Sequence, residues 1–206
     1  SHGAWNGDGL FAFSSDDKQI TICDSKAQVV DAVKVKHKPV GLKWGPSSCG
    51  KGTTLAVNLE GKLLLLFDIR AKEGAVELEF LPKYGTVAQF EWFGGGDLLI
   101  GFSTGYFVIV SSSGSDMDKE QYSARFHDHE LFDMAFNPHV QQATSCGDGL
   151  LKRIDLGSWD KLQIRVYEEA LQSVHALQWS PDGKALGASS PNGCLCVVRL
   201  RQEEER

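Results

Sequence analysis

The stretch nearest to a chemical motif is Gly45-Pro46-Ser47-Ser48-Cys49-Gly50-Lys51-Gly52. Two glycines precede a lysine after a run of strand formers, as in a loop that cradles phosphate. Such a loop needs Ser or Thr after the lysine to hold Mg²⁺, and a helix whose N-terminus faces the phosphates. Here Gly52 follows Lys51, and Thr53 to Leu59 reads as a strand, so the segment is read as a long turn. His127-Asp128-His129, with Cys146 further on, supplies metal-ligand types. A structural zinc site takes four ligands, usually as two close pairs, and no second pair lies near in sequence. His127 is therefore expected to order its surroundings through hydrogen bonds, with His37 in the equivalent place earlier. Cys194 and Cys196 are two apart on a strand, share a face, and read as small buried apolar residues. Ser145, Ser189 and Ser190 show no base and orienting acid in sequence. Asp16-Asp17 reads as a turn, and Glu203-Glu204-Glu205 as solvated linker. No catalytic, cofactor-binding or metal-binding residue is assigned, and no cofactor is expected.

The elements around these residues are short strands. Val87 to Val110 holds three runs of β-formers separated by Phe93-Gly94-Gly95-Gly96-Asp97 and Ser103-Thr104-Gly105. Apolar runs of this length between such clusters are strands joined as hairpins. The pattern recurs. Gly61, Gly105, Gly149 and Gly193 stand 44 residues apart, and one step below Gly61 is Asp17. The first strand of each unit ends on Trp5, Trp44, Trp92, Phe136 and Trp179, at intervals of 39, 48, 44 and 43. A period of about 40–45 residues with four strands per unit is the mark of a WD-repeat propeller blade. The expected fold is all-β: an incomplete arc of about five four-stranded blades, spanning approximately 1–36, 37–82, 83–127, 128–170 and 171–206. The last blade is expected to lack its fourth strand. Helix is scarce, with Glu168–Gln172 the best candidate.

Composition fits a globular chain with a sizeable core: 206 residues, five Trp, eleven Phe and 42% hydrophobic content. A net charge of −6 without a basic stripe argues against nucleic acid as the main partner. No apolar run approaches the roughly 20 residues of a membrane span, and no secretory leader stands at Ser1. The five cysteines, an odd and scattered set, do not read as a disulfide framework and point to a reducing compartment. The chain is expected to be a fragment of a larger protein.

Three segments carry a closer resemblance: Ile100 through Val110, Gln121 through His127 (Gln-Tyr-Ser-Ala-Arg-Phe-His), and Thr144-Ser145-Cys146-Gly147-Asp148. In this order and spacing the chain resembles the first propeller of the intraflagellar transport protein 144 (WD repeat-containing protein 19) family. The Trp-Asp strand ending of the generic repeat is degraded here to Cys23-Asp24, Phe67-Asp68, Val110-Ser111 and Ile154-Asp155. The resemblance implies a non-enzymatic scaffold in intraflagellar transport complex A. Its expected partners are other subunits of that complex and ciliary cargo or adaptors. Its expected place is the cilium and ciliary base, on the cytoplasmic side, in retrograde transport and entry of membrane proteins. No site residues carry over.

Two other classes compete. An adaptor of another assembly, such as a vesicle coat or ubiquitin ligase, would use the same fold. An enzyme would need ligands converging from several blades on the axis, and Ala4, Leu42, Gln89 and Ala135 do not supply them. A last expectation concerns the end blades. Trp5, Leu10, Phe11 and Phe13 on one side and Leu195–Leu200 on the other read as uncovered apolar surface, so the chain is expected to self-associate there.

Overall fold

The computed structural model describes residues 2–71, 74–112, 119–157, 159, 165–170 and 174–199, with residues 165–170 described as backbone only. Among the described residues nineteen strands form five antiparallel sheets. The first sheet holds β1 (His2–Trp5), β2 (Phe11–Ser14), β3 (Gln19–Cys23) and β4 (Val29–Lys34). The second holds β5 (Pro39–Trp44), β6 (Thr54–Leu59), β7 (Leu63–Asp68) and β8 (Val76–Glu79). The third holds β9 (Val87–Phe93), β10 (Asp97–Phe102), β11 (Tyr106–Val110) and β12 (Glu120–Arg125). The fourth holds β13 (Asp133–Asn137), β14 (Gln142–Gly147), β15 (Leu150–Asp155) and β16 (Arg165–Ala170). The fifth, three-stranded among the described residues, holds β17 (Ala176–Trp179), β18 (Ala185–Ser189) and β19 (Leu195–Arg199). Within every sheet each strand pairs with its neighbour in sequence, which is the meander of a propeller blade.

The markers spaced by 44 occupy equivalent turns, those joining the second and third strands of each blade. Glu60-Gly61 and Asp148-Gly149 both have positive φ at their two central residues. That backbone twist matches the twist of the flanking strands.

The core lies between blades. Successive side chains on a strand point to opposite faces, and this splits the continuous apolar run of β7. Leu64 and Leu66 pack with Phe90, Leu98 and Ile100 of the third blade. Leu63, Leu65 and Phe67 pack with Ile20 and Ile22 of the first. On β10, Leu98 and Ile100 face the second blade, while Leu99 joins Met134, Ala143 and Ile154 of the fourth. A sheet buried on both faces needs apolar residues at every position, which explains the missing alternation.

Polar ties link neighbouring blades at the inner strands. The indole N–H of Trp44 donates to the Ala4 carbonyl at 3.0 Å, and that of Trp92 to the Lys43 carbonyl at 3.2 Å. Asn6, just after β1, and Asn137, the last residue of β13, donate to the Gly52 and Gly183 carbonyls of the next blade.

The expected helix at Glu168–Gln172 is overturned through residue 170. Arg165–Ala170 is β16, paired with β15 from Asp155↔Arg165 to Leu150↔Ala170. Leu171 and Gln172 lie outside the described residues, as do Ser113–Asp118. No helix among the described residues is long and apolar enough to cross a membrane.

Candidate functional site

The Gly45–Gly52 segment is a turn containing a short 3₁₀ element, Ser47–Cys49, not a loop opening a helix. Lys51 Nζ donates to the Ser112 carbonyl at 2.9 Å, which ties the second blade to the third. The Gly52 carbonyl accepts from Asn6 at 3.0 Å. The segment thus braces three consecutive blades, and its lysine is engaged with backbone.

Ser145 does have partners, contrary to the sequence reading. His127 Nε2 lies 2.9 Å from Ser145 Oγ, and His127 Nδ1 lies 3.6 Å from Asp148 Oδ2. Serine, histidine and aspartate in this order are the components of a nucleophilic triad. Both Ser145 and His127 have 0% exposure, so a substrate has no path to the hydroxyl. The Asp148 carboxylate is occupied as well. It accepts the backbone N–H of His129 at 2.9 Å, of Glu130 at 3.0 Å, and of Asp128. Burial works against its ionisation, but these donors and His127 outweigh burial and hold the carboxyl below the usual carboxylate range. The trio therefore pins the 127–130 connector between the third and fourth blades. This is the structural role expected of His127. The triad was invisible in sequence because its members come from a connector, a strand and a turn.

Glycines complete that pin. A Cβ on Gly105 would overlap the His127 carbonyl oxygen, and one on Gly147 the Glu130 carbonyl oxygen. His37 shares only part of the role: its Nδ1 lies 3.3 Å from Glu60 Oε2, and it is far more exposed than His127. Glu60 Oε1 accepts the Lys38 backbone N–H at 3.3 Å, as Asp148 does for its own connector.

Among the described residues no group of three or more His, Cys, Asp and Glu could hold a metal ion. Cys146 is buried, and burial with nearby Asp133 pushes its thiol up to about 12. A thiol so raised is neither a ready nucleophile nor a ready ligand. The two late cysteines differ from the sequence reading: Cys194 sits exposed in the turn before β19, and only Cys196 packs against the core.

The inner strands carry charge that the sequence reading missed. The residues equivalent to Ala4 and Ala135, each preceding the terminal aromatic, are Lys43 and Glu91 rather than Leu42 and Gln89. Lys43 Nζ and Glu91 Oε1 form a 2.6 Å ion pair between the second and third blades. Burial pushes the Glu91 carboxyl up, against the pull of Lys43. Asp133 accepts the Leu177 backbone N–H at 2.8 Å and the Met134 N–H at 2.9 Å, tying the fourth blade to the fifth.

Against known proteins, the description "WDR19 first beta-propeller" matches residues 1–193. The chain belongs to the WDR19 first-propeller family. WD repeat-containing protein 19 of Mus musculus is 30% identical over 201 residues, covering 95% of this chain and 15% of the relative. WD repeat-containing protein dyf-2 of Caenorhabditis elegans is 26% identical over 187 residues, covering 89% of this chain and 13% of the relative. The chain thus spans about 15% of the length of its curated WDR19 relatives. Among solved structures, the Cps50 (Swd1) β-propeller domain of Myceliophteria thermophila superposes with a TM-score of 0.78 at 14% identity. That superposition covers 98% of this chain and 74% of the other, and it shows the fold. The mitotic checkpoint complex contains a chain that superposes at 0.70 and 16% identity, covering 92% of this chain and 58% of that one. The WDR19 first-propeller family is a WD-repeat scaffold family. The connector pin and the inner-strand ties are consistent with a role in holding shape.

Proposed function

We propose that this propeller segment is a protein-interaction scaffold of intraflagellar transport complex A, working in retrograde ciliary transport and in the entry of membrane proteins. Its partners are other subunits of that complex and ciliary cargo or adaptors, and its place is the cilium and ciliary base. The observation that carries this is the family match over residues 1–193. The structure supports it physically: the polar groups able to do chemistry at Ser145, His127 and Asp148 are consumed in fixing one blade on the next. We take the blades as residues 1–36, 37–82, 83–127, 128–170 and 171–206.

The test is deletion of the region matching residues 1–206 from the full-length protein in ciliated cells. Complex A subunits should cease to co-purify in normal proportion, or membrane proteins should fail to enter the cilium. Normal assembly and normal entry after the deletion would refute the proposal. Co-purification with a different assembly would replace it with the adaptor reading.

A further inference from the structure

On the outer side of the arc a cavity of about 280 Å³ opens between the first blade and the second. Leu65 and Phe67 form its floor and are nearly buried. Val33 and Ile69 are half-buried and Ala71 and Ala75 exposed, so apolar surface can be reached from outside. Asp31 and Asp68 complete the lining. Strand register adds two more acids to this crevice. Glu77 and Glu79 pair across the sheet with Leu65 and Leu63, so they stand on the face of β8 turned toward the first blade. Lys36 reaches Glu77 at 2.9 Å, and Glu79 also favours its charged form. Lys34 alternates with Val33 along β4 and so faces the other way.

Four carboxylates thus meet one ammonium. Among the described residues Asp31, Asp68 and Glu79 form no ion pair. Arg70 gives Asp68 only its backbone N–H, at 2.9 Å. Lys72-Glu73, outside the described residues, adds one charge of each sign. Asp31 Oδ1 accepts the N–H of the following residue, Ala32, at 2.8 Å. Asp133 makes the same bond to Met134, and its Oδ2 takes a further N–H from the adjoining blade, that of Leu177. Asp31 has the first of these bonds and, among the described residues, lacks the second.

We infer that this crevice receives an extended segment of a protein partner that carries basic side chains at alternate positions. Glu77 and Glu79, two apart on a strand, are separated by about 7 Å along it, and so are alternate residues of an extended chain. Lysine and arginine have long aliphatic stems that cover apolar surface while the charged head stays in water at the rim. The stems fit Val33, Ile69 and the two alanines, and the heads fit the unpaired carboxylates. An acidic segment would be repelled, and an apolar one would cover the carboxylates without giving them a donor. The inference rests on the scaffold reading and names the chemistry of one of its contacts.

The experiment titrates the 206-residue chain with the peptide acetyl-Arg-Ser-Arg-Ser-Arg-amide, with its citrulline counterpart, and with spermidine. Amide resonances give both the affinity and the place. The arginine peptide should saturate, should shift Ala32, Ala71 and Ala75, and should bind about tenfold tighter than the citrulline peptide, the sum of a few exposed ion pairs. Binding should vanish at 1 M salt, where charges are screened within about 3 Å. Asp31→Asn with Asp68→Asn keeps an Oδ1 acceptor at both positions and removes only charge, so it should erase most of that preference. Asp8→Asn, the same charge change elsewhere, should leave it intact. The peptide comparison on the unaltered chain decides the matter should the double variant misfold. Equal binding of the two peptides, shifts elsewhere, or equal losses in the double variant and Asp8→Asn would overturn the proposal. So would spermidine binding as tightly as the peptide, since the crevice would then read charge without a polypeptide. None of these results alters what deletion does to complex assembly, so the two readings fail separately.

Discussion

Asp148 is the residue on which the third-to-fourth connector depends most. Its carboxylate serves three backbone N–H groups at once. Asp148→Ala strands those donors and should cost about 2–3 kcal/mol, as loss of charge-assisted hydrogen bonds does. Urea midpoints of the two proteins at pH 7 give the figure. The folded carboxyl titrates below its unfolded value. Its contribution is therefore complete above the unfolded value of about 4 and fades as pH falls through the lower folded value. The gap between Asp148 and Asp148→Ala proteins should shrink between pH 5 and pH 2, about the span over which a paired aspartate loses its effect. A gap independent of pH would remove the ionised carboxylate from the explanation. Gly105 makes the same connector possible from the other side. It has φ +82° and no room for a Cβ beside the His127 carbonyl. Gly105→Ala should destabilise by at least about 2 kcal/mol, since left-handed strain and a backbone clash act together. Unfolding within 0.5 kcal/mol of the parent, the ordinary surface range, would contradict this. At this scale the sequence was legible in part. Gly105 stood out by its spacing because the turn admits little else. The partners of Ser145 did not, since His127 and Asp148 reach it from separate elements.

Strands were the most legible level. Apolar runs bounded by turn clusters, repeated at a spacing of 44, located the strands, because each hairpin is closed by its own residues. The outer strand of blade four was harder to read. Glu168-Glu169-Ala170-Leu171 carries good helix formers, yet pairing with β15 overrides that preference through Ala170. The charged inner strands were misread by register. Leu42 and Gln89 were compared with Ala4 and Ala135; Leu42 is one residue from Lys43, a slip that swaps the face, and Gln89 two residues from Glu91, a slip along the same face. The continuous run of β7 gives a test at this scale. Leu64 has 0% exposure and faces the third blade. Leu64→Ala should cost about 2–5 kcal/mol through lost burial and the cavity left behind. Trp92→Phe should cost less, about 1–2 kcal/mol, since it gives up the indole hydrogen bond and part of the buried ring volume but leaves a phenyl ring packed in the core. Chemical unfolding of the two variants should rank them in that order, and the reverse order would mean the indole ties outweigh the core.

The molecule as a whole shows apolar surface at both ends of the arc. Trp5 is 62% exposed, Leu195 75% and Val197 62%. These side chains lie on blade faces of the kind buried everywhere between blades. Light scattering of the 206-residue chain across a concentration series should therefore show association, and Val197→Lys should suppress it. A single monomer mass at every concentration would defeat this expectation. The indole ties also have a direction. Trp44 and Trp92 carry the donors, and their acceptors, Ala4 and Lys43, lie 40 and 49 residues nearer the start of the chain. A ribosome delivers about 5–20 residues per second, starting from that end. All four strands of each acceptor's sheet, β1–β4 and β5–β8, are thus synthesised before its donor. Synthesis can lay down the arc like courses of brick, each new blade finding its seat already built. Nascent chains stalled within the fourth blade should resist brief proteolysis through β1–β8. Cleavage there as rapid as in the unfinished blade would show that the courses set together at the end.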